Sequence, residues 1–340
     1  MKALLYSKPR KFDIAEINIP EYGDNQVLIK IKSCGICKTD VHIHNGSFIS
    51  RFPLTPGHEF SGIIEKAGAK VTAFKVGDRV VADNTVLCGE CYYCRKNQPL
   101  YCDNFYSLGV TGPGGFAEYA VVNQDKVFHI SDRLSFDVAS FVEPTACAVH
   151  GMDMIGVKPG DDVLLFGAGP TGIILAQLLK HGGAGSLVVA APTQFKLDLV
   201  KRLGIGQTVL VNKKDYGIHR KMIMDLYPKG FDIIIDATGA SSITQDCTAY
   251  AKKGAKIVVY GVCSEDDRIS LSPYEIFSKE LKIIGSFAQT HCYDRAIKYL
   301  ENGIVKVDDL ITHKFGLSEY EKGLDTVMSG KNSIKVIINP

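Results

Sequence analysis

Cys88, Cys91, Cys94 and Cys102 form a C-x2-C-x2-C-x7-C run between strand-like segments. Four thiols gathered over so short a stretch leave the chain few ways to fold there. Two-residue spacers let a tight turn bring three sulfurs to one centre, and the longer loop returns the fourth. Zinc takes four ligands in a tetrahedron, with sulfur at about 2.3 Å. A site closed by four thiolates has no open position, so it is expected to be structural. A pair of disulfides is the competing use of four cysteines. Charged and polar spacer residues (Glu90, Arg95, Lys96, Asn97) and a chain with no secretory character speak against it.

A length of 340 residues is enough for two domains with cores of their own. A net charge of +2 without long basic runs argues against nucleic acid as the main partner. The 46% apolar content is that of a soluble globular protein. Met1-Lys2-Ala3-Leu4-Leu5-Tyr6 reads as a first strand, followed at once by Lys8, Pro9, Arg10 and Lys11, and not as the apolar region of a signal peptide. The most apolar run, Val163 to Leu179, is broken by Gly167, Gly169, Pro170 and Gly172, so no membrane span is expected. Ten cysteines in a metal-type arrangement point to a reducing compartment, and the expected location is the cytoplasm.

The first 150 residues or so alternate short β-type runs with Gly and Pro, as in Val27-Leu28-Ile29-Lys30-Ile31 and Asp78-Arg79-Val80-Val81, which predicts an irregular strand-rich domain. From Asp161 the pattern becomes strand then helix. Strands are predicted at Val163–Phe166, Leu187–Ala190, Thr208–Val211, Phe231–Asp236, Lys256–Tyr260 and Lys282–Gly285, with helices from Thr171, near Gln194 and after Ser241. Alternating βα units imply an α/β fold with a parallel sheet covered on both faces. Helical segments near Tyr293–Leu300 and Glu319–Met328 and a last strand, Ile334–Ile338, are expected to return to the first domain. The expected division is therefore 1–150 with 287–340 as one domain and 151–286 as a dinucleotide-binding domain.

Gly167-Ala168-Gly169-Pro170-Thr171-Gly172 follows an apolar strand and opens an apolar helix, the context that gives a G-x-G-x-x-G match its force. The glycines serve the tight turn, close approach to a pyrophosphate, and close helix–sheet packing. The helix N-terminus offers amides to the phosphates. Roughly twenty residues on, an NAD binder places an acid against the ribose hydroxyl. Here the stretch is Val189-Ala190-Ala191-Pro192-Thr193-Gln194-Phe195-Lys196, with no carboxylate before Asp198. Thr193 and Lys196 are suited to a 2′-phosphate, so NADP is expected to be preferred over NAD.

Outside the cysteine lobe, Cys37 in Cys34-Gly35-Ile36-Cys37-Lys38-Thr39-Asp40, the pair His58-Glu59 after Gly57, and Glu143 in Phe141-Val142-Glu143-Pro144 supply a second, mixed S/N/O donor set. Such a set drawn from distant segments is typical of a catalytic zinc with an open position. Asp40 is placed to orient His58.

These motifs, together with Gly77-Asp78-Arg79-Val80, resemble the zinc-dependent medium-chain alcohol dehydrogenase superfamily over nearly the whole chain. Simple alcohol dehydrogenases have a cysteine at the third ligand position. Glu143 here is similar to the sorbitol, xylitol and arabinitol dehydrogenase branch. The resemblance implies a GroES-like catalytic domain beside a Rossmann domain, and two zincs per chain. Cys37, His58 and Glu59 would hold the catalytic one, with Glu143 binding directly or through water. Thr39 and His42 match proton-relay positions, Gly261 falls with the cofactor-binding residues, and Phe48 and Phe287 are candidate pocket walls. Animal sorbitol dehydrogenases follow Gly-Ser-Phe with Arg and Tyr, whereas this chain reads Gly285-Ser286-Phe287-Ala288-Gln289, a departure at the substrate pocket.

The implied activity is oxidation of a pentitol or hexitol (D-arabinitol, xylitol, sorbitol or mannitol) to its ketose with hydride transfer to NADP, in a homodimer or homotetramer. A vicinal-diol or other secondary-alcohol dehydrogenase of the same superfamily is the alternative enzyme. A non-catalytic nucleotide-binding protein is the alternative of another class, and a complete catalytic donor set argues against it.

Overall fold

The structure is a computed structural model and describes residues 1–212 and 214–340. The chain divides into two compact units, Met1–Ala146 with Gln289–Pro340, and Cys147–Ala288.

In the first unit the strand Gln26–Ile36 is the spine of a seven-stranded sheet. It pairs antiparallel with Lys335–Asn339 on one side and with Glu59–Ala67 on the other, and Tyr119–Asn123 joins its first half. Register places Cys34 opposite Ile338 and Phe60, and Gly35 opposite Ile337 and Glu59. Apolar residues of this strand, among them Val27, Ile29 and Ile31, meet Leu4, Tyr6, Phe60, Ile64, Phe116, Tyr320 and Ile338 in one core. The last strand begins one residue later than expected and the C-terminal helices span Tyr293–Glu301 and Tyr320–Ser329.

In the second unit six parallel strands lie in the order Gln207–Leu210, Ser186–Ala191, Asp162–Phe166, Phe231–Asp236, Ala251–Val259, Lys282–Gly285. The chain starts in the middle at Asp162–Phe166, builds outward to one side, then crosses over and builds to the other. That is the doubly wound order, whose reversal point lies at the carboxyl end of the first strand. Val163, Leu164, Leu165 and Phe166 are all fully buried, as a sheet covered on both faces requires. The fifth strand starts five residues earlier than expected, at Ala251, with Gly254 at φ +78 within it.

The helices Lys38–Asn45, Val142–Ile155, Tyr216–Leu226 and Pro273–Lys279 have no counterpart in the expectations from sequence. Tyr216–Leu226 leaves Ile218, Met222 and Leu226 exposed and buries only His219 and Ile223, so its apolar spacing does not mark the buried face. Pro273–Lys279 is short, yet it carries a start signal: Pro at the first turn and a Ser272 cap accepting the Glu275 amide at 3.2 Å. No helix among the described residues is long and apolar enough to cross a membrane.

Candidate metal centres and nucleotide loop

The four thiols of Cys88, Cys91, Cys94 and Cys102 lie within 4.8 Å of one another, and none is in a disulfide. Backbone amides of Glu90 and Cys91 point at the Cys88 sulfur and pull its pKa down to about 6, while the Cys102 sulfur accepts the Cys88 amide at 3.4 Å. Amides aimed at sulfur favour the thiolate, the form that binds metal. Four soft donors closed on one point fit zinc.

The second donor set is assembled where the spine strand meets two neighbours. The strand ends at Ile36, and Cys37 is the N-cap of the helix Lys38–Asn45, its amide donating to Asp40 Oδ2 at 2.8 Å. Gly57, at φ +99, turns the chain into His58 and Glu59, and a Cβ there would press on Phe116 and the Cys34 sulfur. Gly35, opposite Glu59, leaves room for the carboxylate, with which a Cβ would collide. Ligand atoms of Cys37, His58 and Glu59 lie within 4.8 Å of one another.

Electrostatics at this set favour a cation. Burial works against a charged His58 ring, but Asp40, Cys37 and Glu143 outweigh it and hold the ring pKa well above its ordinary value. The ring hydrogen-bonds the Cys37 thiol, whereas its Nδ1 sits 3.9 Å from Asp40 Oδ1. Neither of those two atoms has a hydrogen-bond partner among the described residues, so it is Nε2 that faces the thiol. Burial pushes Asp40 up to about 6 against the pull of His58 and the Cys37 amide. Thiolate, imidazole and carboxylate converging on one point fit zinc with an open position. Glu143, on the first turn of the helix Val142–Ile155, acts electrostatically on both His58 and Lys335, but is not among the three residues of the 4.8 Å group.

In the second unit, Gly167 holds φ +113 at the carboxyl end of the first strand. A Cβ on Gly172 would collide with the Gly167 carbonyl, whereas a Cβ on Gly169 would meet nothing within 4 Å. Backbone packs on one side of the turn and open space lies over the other, which is the cradle a pyrophosphate needs. Gly169 caps the helix Pro170–His181 and Pro170 fills its first turn, with Thr171 behind it. At the end of the second strand Ala191 is buried, Thr193 caps the helix Gln194–Arg202, and Lys196 lies half-buried in its first turn. Asp198 accepts from the Gln194 amide at 2.7 Å, so the first carboxylate after the strand is engaged by its own helix.

Comparison with known proteins accords with both units. Residues 23–132 match the alcohol dehydrogenase GroES-like domain, and residues 170–302 match the zinc-binding dehydrogenase domain. D-arabinitol dehydrogenase 1 of Uromyces fabae is 44% identical over 100% of this chain and 97% of its own length. The chain belongs to the zinc-binding alcohol dehydrogenase family. D-altritol 5-dehydrogenase of Agrobacterium fabrum is 32% identical over 94% of each chain, and L-threonine 3-dehydrogenase of Alteromonas mediterranea 34% identical over 100% of this chain and 99% of its own. A zinc-binding dehydrogenase of Sinorhizobium meliloti 1021, solved with NADP, superposes with a TM-score of 0.94 at 30% identity over 100% and 99% of the two chains. An alcohol dehydrogenase of E. coli CFT073, solved with NADH, gives 0.92 at 30% identity over the same shares.

The remaining candidate residues of this dehydrogenase fall unevenly. Thr39 Oγ1 is 3.6 Å from the Cys37 sulfur. His42 Nδ1 is 3.3 Å from Ser47 Oγ, its Nε2 is buried, and burial with Lys38 lowers its pKa, which keeps the ring neutral. Phe48 packs on Ile43, Leu54 and Val110. Phe287 belongs to the other unit and is 50% exposed. Gln289 is buried and donates to Asp83 Oδ1 at 2.6 Å, which fixes the segment after Phe287. A Cβ on Gly261 would collide with the Gly239 amide, so that glycine lets two loops of the dehydrogenase meet.

Sequence reading missed two residues. Lys335, buried in the last strand, pairs with Glu59 and has its ammonium 5.6 Å from the centre of the Phe141 ring. A single lysine in the run Ile334 to Ile338 was a usable signal. Asp236 is buried at the end of the fourth strand and accepts from Thr238 Oγ1 and Thr244 Oγ1, both at 2.5 Å, which shapes the loop that packs against Gly167.

Proposed function

We propose that this dehydrogenase oxidises a sugar alcohol, a pentitol or hexitol of the arabinitol type, to its ketose. The observation that carries the reading is the mixed donor set Cys37, His58 and Glu59 with Glu143 electrostatically beside it, and the 44% full-length identity to a D-arabinitol dehydrogenase supports it. Residues 1–150 with 287–340 are the catalytic domain and 151–286 the nucleotide-binding domain in this reading. The cysteine lobe holds a second, structural zinc.

A zinc held by Cys37, His58 and Glu59 supplies Lewis acidity toward an alcohol oxygen, and a bound nicotinamide supplies the hydride acceptor. Asp40 faces the Nδ1 side of the His58 ring from 3.9 Å and orients it by charge attraction. Glu143 offers a carboxylate to a second hydroxyl of a polyol. The neutral His42 ring takes the released proton at Nε2 and passes it toward solvent, and Thr39, whose Oγ1 is 3.6 Å from the Cys37 sulfur, is the other relay residue.

NADP is the preferred acceptor, because Ala191 places no charge where a 2′-phosphate would lie and Lys196 is close by. Solved relatives carry NADP in one case and NADH in another, so the preference rests on these residues. Homo-oligomerisation is supported by the strand Lys282–Gly285, which lies at the sheet edge with Ile283 exposed, beside a helix exposing Tyr274 (76%) and Phe277 (80%). An apolar unpaired edge invites pairing. Free thiols throughout favour the cytoplasm.

The test is turnover of arabinitol, xylitol, sorbitol, mannitol and 2,3-butanediol by purified protein with each nicotinamide cofactor. A pentitol or hexitol should give the highest kcat/KM. Faster turnover of butanediol than of every polyol would move the protein to the vicinal-diol class.

A further inference from the structure

His42 Nδ1 lies 3.3 Å from the Ser47 hydroxyl oxygen, and the same oxygen lies 3.3 Å from the His42 carbonyl oxygen. The other ring nitrogen, Nε2, is buried and has no hydrogen-bond partner among the described residues. Two donor hydrogens, one on the ring and one on the hydroxyl, are therefore shared among few acceptors.

The backbone dictates this meeting. The helix Lys38–Asn45 ends at Gly46, which holds a left-handed φ of +74 and whose missing Cβ makes room for the Pro9 ring. The Gly46 amide donates to the Ile43 carbonyl and the Ser47 amide to the His42 carbonyl, each at 3.0 Å. That paired closure is the Schellman ending of a helix, and it folds the residue after the glycine back over His42. An apolar pair frequently meets at these two positions. Here the pair is a hydroxyl and an imidazole, while the Phe48 ring, 6.4 Å from the imidazole, packs on Ile43, Leu54 and Val110.

One arrangement of the hydrogens leaves neither donor unused. With the ring proton on Nδ1, the ring donates to Ser47 Oγ and the hydroxyl donates to the His42 carbonyl, so both hydrogens are placed and Nε2 keeps a bare lone pair. With the ring proton on Nε2, the hydroxyl turns to Nδ1 and a buried N–H is left without an acceptor, at a cost of about 1–3 kcal/mol. Which nitrogen carries the proton is set by the bond that the other makes.

We infer that Ser47 is a positioning residue that holds the proton of the neutral His42 ring on Nδ1 and so keeps the Nε2 lone pair ready to accept another. The inference rests on the proposed part of His42 as proton acceptor. Ser47 acts through His42.

The test reads the tautomer itself, from the nitrogen NMR spectrum of the zinc-loaded protein labelled in its histidines. At about pH 8 the ring is neutral, and the His42 signals are identified by their loss in His42→Asn. The parent should show a protonated, pyrrole-type Nδ1 and a bare, pyridine-type Nε2. Ser47→Ala keeps the amide that closes the helix and removes only the hydroxyl. Its Nε2 should gain pyrrole character, and single-turnover oxidation of D-arabinitol should slow about threefold or more, as a misaligned general base does, with KM for the alcohol within about twofold of the parent. Ser47→Thr, which retains a hydroxyl, should restore both. A parent ring protonated on Nε2, or unchanged nitrogen shifts in Ser47→Ala, overturns the inference. Unslowed turnover in Ser47→Ala where His42→Asn is slow overturns it too. Should His42→Asn oxidise D-arabinitol as fast as the parent, the relay reading fails while the measured tautomer stands, so the two failures are told apart.

Discussion

The ammonium of Lys335 is ion-paired with the Glu59 carboxylate, at 2% and 1% exposure. Removing one partner of a buried pair leaves an uncompensated charge and costs about 3–5 kcal/mol. Lys335→Met should therefore lower unfolding stability by about 3 kcal/mol in the metal-free protein. The loss should be smaller with zinc bound, because the metal then answers the Glu59 charge. Denaturant titrations with and without zinc measure both, and an equal loss in the two states would remove Glu59 from the ligand set.

The two proposed metal centres, built differently, should fail differently. Cys37→Ser or His58→Ala should reduce turnover below about 1% of the parent while one zinc stays bound and the fold persists. Cys94→Ser should instead lower Tm by on the order of 10 °C, since zinc in a closed site is folding energy. Metal analysis and thermal unfolding distinguish the two, and normal turnover in Cys37→Ser lacking its zinc would refute the assignment.

Cofactor choice should turn on the end of the second nucleotide strand. Ala191→Asp should shift the ratio of kcat/KM for NADP over NAD toward NAD by about tenfold or more, through repulsion of the 2′-phosphate and a new acceptor for the ribose hydroxyl. Lys196→Ala should raise KM for NADP and spare that for NAD. A parent enzyme that prefers NAD tenfold would show that the stretch from Ala190 to Lys196 has been misread.

Acid sensitivity should have a source at His219. Its ring is fully buried between Phe166 and Tyr216, and neither nitrogen has a partner among the described residues. Burial, and then Arg220, lower its pKa from the ordinary 6.5. Below that value the unfolded ring takes up a proton that the folded ring resists, so this contribution is fully present above pH 6.5 and declines as pH falls from there. His219→Leu should lose less stability than the parent between pH 7.5 and 5. Equal losses in urea unfolding would clear His219 of the effect.

Local features were legible from the sequence and distant ones were not. Cys88 to Cys102 and Gly167 to Gly172 are short patterns whose spacing carries the geometry, so their residues could be read without a fold. Cys37, His58 and Glu59 lie on adjoining segments of one sheet and were recognisable by resemblance. Lys335 joins them only because the last strand pairs with the spine, which periodicity cannot supply. The helix Tyr216–Leu226 escaped because the residues that look apolar face outward.

The closeness of the last strand to Glu59 also sets an order in time. A ribosome delivers the cysteine lobe whole, all four thiols arriving together within a short stretch, so that centre can take its metal while synthesis continues. Glu59 waits for a partner 276 residues further on. Until the final strand slots in beside the spine, the newborn chain carries a thiol, an imidazole and a carboxylate whose counter-charge has not yet been made. The two proposed centres would therefore mature in sequence, lobe first, and a chain cut short before Lys335 should hold one metal securely and the other poorly.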